Sequence, residues 1–524
     1  MVESQDNYHL GHMLLDKLRK RPDAICQIDA GTGESETNAS VLSRAVRLAR
    51  CLRRLGAAPG DLLALHGNNH LDLLVPFYAA LFNGLTLFGV DPAYNLDEIK
   101  QLFKKTKPKI AFCQSDDFLK VVEDLGLDTK IVIFGDGELS MQNFMNDYHL
   151  ENNEESDDAF KPAEFDTDKI YAFLISTSGS TGFSKLAAHK HKPMIENFQR
   201  AQKVFVKDEN AKHNIPALNL SSVHWISAVL NIVGMPLLNM CIVHTSAPLT
   251  IGHIVDIING YKPVQGFFGG SMMNAILNYE KQCDLTCFDV IGLGGLKVHE
   301  EIIHDLRKRI RKGAVAFEVY GVTETLGQVF SSNIEGPVGS VGKPSAVHQV
   351  KIMDDNTGVE ITDPNTAGHL WIKGPMFAEY YDEPERTAEV LTNDGWYKTG
   401  DLFYRDEDNY YYFVERIGML IMYKNKLISP LALTEVIRHH PGVLDVSVTA
   451  VPHPYDGEHP VACVLRRPGH HVTAQDIKDL VASKLENYQH LRGGVIFMDE
   501  LPKTSTGKEA RAKLRDIACV SKRE

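Results

Sequence analysis

The N-terminal half of the chain alternates between two hydrophobic periods. In SVLSRAVRLARCLRRL, residues 40–55, Val41, Ala45, Leu48, Ala49 and Leu52 fall on one helical face, and Gly56 stands where such a helix would end. DLLALHG then has the short apolar run of a strand, and HLDLLVPFYAALFNG returns to helix. KIAFCQ, KIVIFG and IYAFLI continue the strand-like segments. Such alternation predicts a layered α/β architecture with largely parallel strands. The longest apolar stretch, WISAVLNIVGMPLLNMCIV, is interrupted by Asn231, Pro236 and Asn239, so it reads as a buried helix followed by a strand rather than a membrane span. The acidic run ENNEESDDAFKPAEFD reads as a linker looping through solvent.

The pattern changes near Glu415, where the units become shorter. Ser429 can cap a helix with Pro430 at its first position, LDVSVTAV and HPVACVLRR read as strands, and Thr473 with Asp476 resembles a capping box. These features predict a large domain over residues 1–415 and a small α+β domain over 416–524. No internal repeat is visible.

Charge and cysteine content narrow the partners. Lys plus Arg number 55 against 68 Asp plus Glu, a net charge of −13, which argues against nucleic acid as the main partner and leaves room for a small anionic ligand. The start, MVESQDNYHLGHM, has no basic segment followed by an apolar core, and the 8 cysteines are scattered. They read as reduced thiols in a cytoplasmic compartment, and Cys283 with Cys287 lacks the second ligand pair of a metal site.

Candidate chemistry begins in LISTSGSTGFSKLAAHK, residues 174–190, directly after an apolar strand. Gly179 and Gly182 allow close backbone approach, Ser176, Thr177, Ser178, Ser180 and Thr181 offer hydroxyls, and Lys185 adds positive charge, a composition suited to phosphate oxygens. The spacing is not that of the ordinary P-loop, which sets four residues between its first Gly and a Gly-Lys pair. Taken by itself the stretch is more often an ordinary surface turn.

Further along stand YGVTET (320–325), GHLWIKGP (368–375), GWYKTGD (395–401), ERIGMLIMYKNKLISP (415–430) and LPKTSTGKEARAKLR (501–515). In this order and spacing the motifs resemble those of the AMP-forming adenylating enzymes, the superfamily of acyl- and aryl-CoA ligases, insect luciferases and peptide-synthetase adenylation domains. The resemblance spans nearly the whole chain. It implies a large domain of α/β subdomains with a small mobile C-terminal domain, and ATP-dependent activation of a carboxylic acid to an acyl-adenylate with release of pyrophosphate. By the same resemblance the loop from Ser176 to Lys185 cradles the β- and γ-phosphates, Glu324 holds Mg²⁺ and Thr323 donates to the α-phosphate. Gly294, Gly295, Tyr320 and Gly321 adjoin the adenine, Asp401 and Arg416 take the ribose, and Lys508 bridges the substrate carboxylate and the α-phosphate. His224 corresponds to a position beside the acyl pocket, although a lone His in an apolar segment is also read as a core residue. That pocket is expected among His224, GFFGGSMM, residues 292–296 and those after Tyr320.

Several positions depart from the family pattern. Pro-Lys-Gly at the loop exit is Ser184-Lys185-Leu186, the Pro near adenine is Lys297, and Asp-Arg-x-Lys at the domain joint is Glu415-Arg416-Ile417-Gly418, making Gly418 the hinge residue. Met422 stands where beetle luciferases carry a lysine, Asn425 replaces a glycine of the pantetheine passage, and Ala432 replaces a glutamate. The preferred expectation is therefore an acid:CoA ligase using ATP, Mg²⁺ and CoA. An amide-forming ligase is the runner-up, with a luciferase-type oxygenase or a non-catalytic binder of ATP or acyl-AMP behind it. The last residues, SKRE, do not form the peroxisomal S-K-L that many relatives carry, so a cytoplasmic location is expected.

Overall fold

The computed structural model describes residues 7–148, 156–177, 185–206, 214–331, 336–424, 426–503 and 510–524. The chain divides into two units, Met1–Gln349 with Lys373–Gly395, and Val350–Ile372 with Trp396–Glu524. The 415/416 boundary drawn from composition lies within the second unit, inside the strand Tyr411–Arg416 that ends one sheet, just ahead of the Ile421–Tyr423 strand of the next.

The first unit contains two seven-stranded sheets. In one, the strands Val315–Val319, Val290–Gly294, Gln265–Gly269, Ile215–Leu218, Met240–His244 and Ile25–Asp29 run parallel in that order, and Ser35–Thr37 closes the edge antiparallel. In the other, Tyr171–Thr177, Thr86–Val90, Leu62–His66, Ile110–Cys113 and Lys130–Ile133 are parallel, while Lys185–Lys190 and Glu379–Tyr380 add two antiparallel strands at one side. The mixed α/β architecture is the expected one.

Local signals explain the flanking helices. Thr37 caps Asn38–Arg54 by accepting from the Ser40 N–H, and the face of Val41, Ala45, Leu48, Ala49 and Leu52 is buried against the Leu74–Asn83 helix. The interrupted apolar stretch forms the helix Ile226–Leu237 and the strand Met240–His244, with Pro236 in the helix's last turn. Among the described residues no helix is long and apolar enough to cross a membrane. The acidic linker is corrected in its second half. Phe160 and Phe165 are buried, the Arg53 guanidinium lies over the Phe160 ring at 4.7 Å, and Arg19 donates to the Phe160 carbonyl at 2.8 Å. Two aromatic anchors thus outweigh the acidic composition that suggested a solvated loop.

The second unit holds a four-stranded sheet, Gln349–Met353, Gly368–Lys373, Tyr397–Arg405 and Tyr411–Arg416. Its five-stranded sheet is built on the hairpin of Val443–His453 with Gly457–Arg466, to which Ile421–Tyr423 and Gly494–Met498 add on the same strand. Ser429 and Thr473 cap the helices Pro430–Arg438 and Ala474–Lys484 as expected, the latter through a capping box with Asp476.

Candidate active site

Thr177 and Lys185 face each other in the antiparallel pair that bounds residues 178–184. The strand pair therefore presents both ends of the hydroxyl-rich loop side by side; Ser178, Gly179, Ser180, Thr181 and Gly182 themselves lie outside the described residues. Ser176 is half-buried, and the buried Thr177 hydroxyl has no hydrogen-bond partner among the described residues. An unsatisfied buried hydroxyl calls for a partner.

Lys185 reaches Tyr380, its Nζ 4.4 Å from the ring centroid and 3.4 Å from the hydroxyl. Tyr380 is 1 % exposed and donates its hydroxyl hydrogen to Glu324 Oε1 at 2.6 Å. The Glu324 side chain, 6 % exposed, is thus held by a charge-assisted bond, and its main-chain carbonyl accepts from the Phe377 N–H at 2.7 Å. Lys185 and Glu324 are therefore linked through one phenol.

The turn that presents Glu324 has its own local logic. Gly321 pairs with Gln328 and Val322 with Gly327, and a Cβ on Gly321 would lie 2.0 Å from the Gly327 carbonyl oxygen, so only glycine fits there. Between these short strands, Thr323–Thr325 form a 3₁₀ turn that packs on the Tyr171–Thr177 strand. Thr325 ties the turn down by bonding to the Gly327 carbonyl at 3.0 Å.

The next expected residues lie at the C-terminal ends of the parallel strands, where open α/β sheets bind ligands. Gly294 ends its strand opposite Gly269 and Val319, and a Cβ there would meet the Val319 carbonyl oxygen at 2.7 Å and the Phe267 ring at 3.1 Å. Gly295 follows with φ +88°. Tyr320 continues from Val319, its half-buried ring edge-on to Phe330 at 5.9 Å. Lys297 is a structural strut: its Nζ donates to the Gly339 carbonyl at 2.7 Å and lies 3.5 Å from Glu318 Oε2. Glu318 is buried and also accepts from the Val298 N–H at 3.0 Å.

His224 is buried, with Nδ1 3.1 Å from the Ser222 hydroxyl and Nε2 3.5 Å from Asp91 Oδ2. Burial lowers its pKa, and Asp91 opposes the shift. The strand Thr86–Val90 passes so close that a Cβ on Gly89 would lie 2.4 Å from His224 Cα. The position thus has both a core-like backbone and a side chain in contact with an acid.

In the second unit, Asp401 pairs in register with Arg416 and accepts from its Nε at 3.0 Å. The carboxylate is 2 % exposed, whereas Arg416 is half-buried. Gly400, at φ +74°, shapes the approach, and its N–H donates to His369 Nε2 at 2.9 Å. Glu415 is committed elsewhere: its carboxylate accepts from the Leu431 N–H at 3.0 Å and the Ser429 hydroxyl at 3.3 Å, closing the N-terminus of Pro430–Arg438. Gly418 lies in the 3₁₀ turn Ile417–Met419 with nothing within 4 Å of an added Cβ. Lys508 and Asn425 lie outside the described residues.

Tyr380 was not singled out in the sequence. Its only local signal is the YYDEP doublet ahead of the helix that Pro384 begins.

A family model described as AMP-binding enzyme matches residues 14–381, and one described as AMP-binding enzyme C-terminal domain matches residues 433–508. The chain belongs to the AMP-binding enzyme family. As a member it is an adenylate-forming enzyme. It is 29% identical over 510 residues to the luciferin 4-monooxygenase of Photuris pensylvanica, covering 94% of this chain and 92% of that one. To the probable 4-coumarate–CoA ligase 2 of Dictyostelium discoideum it is 27% identical over 533 residues, covering 97% and 94%. Among solved structures, ATP-bound MatB from Rhodopseudomonas palustris superposes with a TM-score of 0.85 at 22% identity, covering 97% of this chain and 98% of that one, which establishes the shared fold.

Proposed function

We propose that this adenylate-forming enzyme activates a fatty or aromatic carboxylic acid with ATP and Mg²⁺ and passes the acyl group to CoA. The observation that carries the reading is the Lys185–Tyr380–Glu324 chain beside the unsatisfied Thr177 hydroxyl, at the base of the Ser/Thr/Gly loop. It sets a cation, a hydroxyl donor and a buried carboxylate around the ends of one loop. A carboxylate attacking a phosphate brings negative groups together, and catalysis there depends on neutralising and positioning them.

In this reading Ser176, Thr177 and the loop through Lys185 hold the β- and γ-phosphates, and Thr323 donates to the α-phosphate. The carboxylate of Glu324 suits Mg²⁺, a cation that prefers oxygen ligands, because Tyr380 fixes one of its oxygens and so its orientation. When bound, Mg²⁺ neutralises phosphate charge. Tyr320, Gly321, Gly294 and Gly295 receive the adenine. Asp401 offers a buried carboxylate to the ribose hydroxyls with Arg416 beside it, and Lys508 stabilises charge at the α-phosphate. His224 borders the acyl pocket, where Asp91 beside Nε2 biases the imidazole's orientation.

We place the joint of the small C-terminal domain at 415/416 and its pivot at Gly418. An added Cβ there meets nothing, so a requirement for glycine would arise in a different backbone pose.

The runner-up is transfer to an amine, favoured by Asn425 in place of the passage glycine. The two are separated by supplying synthetic acyl-AMP with either CoA or a panel of amines. Thioester formation supports the ligase, whereas amide formation with no thioester replaces it by the second reading.

A further inference from the structure

The hairpin of Val443–His453 with Gly457–Arg466 carries the sequence HPYDGEH at its tip, residues 453–459. His453 pairs with Gly457 and Val451 with His459. His453 and Val451 are two residues apart on one strand and so share a face, which makes the two histidines diagonal neighbours across the ladder. Their rings stack with centroids 4.0 Å apart and an interplanar angle of 16°. Asp456, in the turn between the strands, reaches both: Oδ2 lies 2.9 Å from His459 Nε2 and 3.4 Å from His453 Nδ1.

The three candidate ligand atoms all lie within 4.8 Å of one another. A tetrahedral ion with bonds of about 2.0–2.1 Å sets its ligand atoms roughly 3.4 Å apart, so the distances are within reach, while the stacked rings turn about their Cβ–Cγ bonds and His453 Nδ1 releases the Asp456 N–H it accepts at 3.2 Å to point at one ion. The donor set is two imidazoles and one carboxylate, which suits zinc and its first-row neighbours and is a poor match for Mg²⁺ or Ca²⁺. His459 and Asp456 are half-buried, which limits their freedom, and the exposed Tyr455 leaves the tip open to solvent. Lys424 already supplies Asp456 with positive charge, its Nζ 3.6 Å from Oδ1, and its N–H donates to the Asp456 carbonyl at 2.6 Å. The carboxylate is therefore arranged to face a cation on one oxygen while its other oxygen faces two nitrogens.

We propose that His453, Asp456 and His459 bind one divalent transition-metal ion, zinc by first choice, in a role separate from the Mg²⁺ of adenylation. Two imidazole nitrogens and Asp456 Oδ2 occupy three coordination positions and water the remainder. The bound ion clamps the hairpin tip and joins Lys424 as a second counter-charge to Asp456.

The full-length chain is titrated with Zn²⁺ by calorimetry and with Co²⁺ by visible absorption, alongside His459→Gln and the double variant His453→Gln/His459→Gln. Thermal unfolding without metal checks that each variant folds. One equivalent bound by the wild type, with the absorption of four-coordinate Co²⁺, is expected. Losing an inner ligand should weaken binding by at least the roughly 10–100-fold seen on losing an outer partner, and the double variant should lose the equivalent altogether. No Zn²⁺ binding by the wild type, or an equivalent that survives in the folded double variant, overturns the proposal.

Discussion

Replacing Tyr380 by Phe removes one oxygen from the chain that links Lys185 to Glu324. The ring keeps its place and its face contact with the Lys185 ammonium, so the change removes the 2.6 Å bond to Glu324 Oε1 together with the longer 3.4 Å contact from Lys185 Nζ. A hydrogen bond to a charged acceptor contributes about 1.5–3 kcal/mol, and here its loss leaves an almost fully buried carboxylate oxygen without its donor. At about 2.1 cal/mol/K of unfolding entropy per residue, a unit of this size should lose roughly 2–4 °C in Tm. Thermal unfolding without nucleotide reads this directly, with urea unfolding as a second measure. Tyr381→Phe is the control, because that half-buried neighbour contacts Tyr171 edge-on and makes no bond to Glu324. Equal Tm values for wild type and Tyr380→Phe would refute the claim that the phenol holds the carboxylate in place.

Three further outcomes are expected. Gly89→Ala should destabilise the first unit by at least about 1–3 kcal/mol, since its Cβ would meet His224 backbone atoms at 2.4 and 2.5 Å; an unchanged urea midpoint would contradict that close approach. Asp401→Ala should raise the ATP Kd in calorimetry by about tenfold or more, from roughly 1.5–3 kcal/mol per lost bond, and an unchanged Kd would remove Asp401 from the ribose site. Burial pushes the pKa of His9 and of His189 down to about 3, so both stay neutral in the fold but protonate near 6.5 once unfolded. Their contribution is complete above pH 6.5 and is lost as pH falls towards 3, on the order of 2–3 kcal/mol each by pH 4.5; His189→Gln should flatten the acid limb of a stability–pH profile, and an unaltered limb would count against it.

The alternation of helix and strand was legible because each period is local. Ser429 and Thr473 cap helices through atoms three residues away, and such signals survive in any context. The residues that were not legible act over long separations. Tyr380 reaches Glu324 because Glu379–Tyr380 pairs with Ala187–Ala188, nearly two hundred residues earlier, which no spacing in the sequence announces. In the motif Lys297 only stands where the family carries a Pro; its partners, Glu318 and the Gly339 carbonyl, are distant in sequence. Glu415 reads only as the first residue of the domain-joint motif, whereas its carboxylate closes a helix beginning fifteen residues later. The acidic stretch before residue 167 misled for the same reason, since Arg19 and Arg53 come to it from distant helices.

The central claim is that the chain joins a carboxylic acid to AMP, and acid-dependent exchange of labelled pyrophosphate into ATP tests it without CoA or any second acceptor. With Mg²⁺ and a panel of fatty, cinnamic and small aromatic acids, the wild type should catalyse exchange that depends on one class of acid, and Lys508→Ala should bind ATP yet lose most of the exchange. Tight ATP binding with no exchange for any acid, or equal exchange in wild type and Lys508→Ala, would contradict the account.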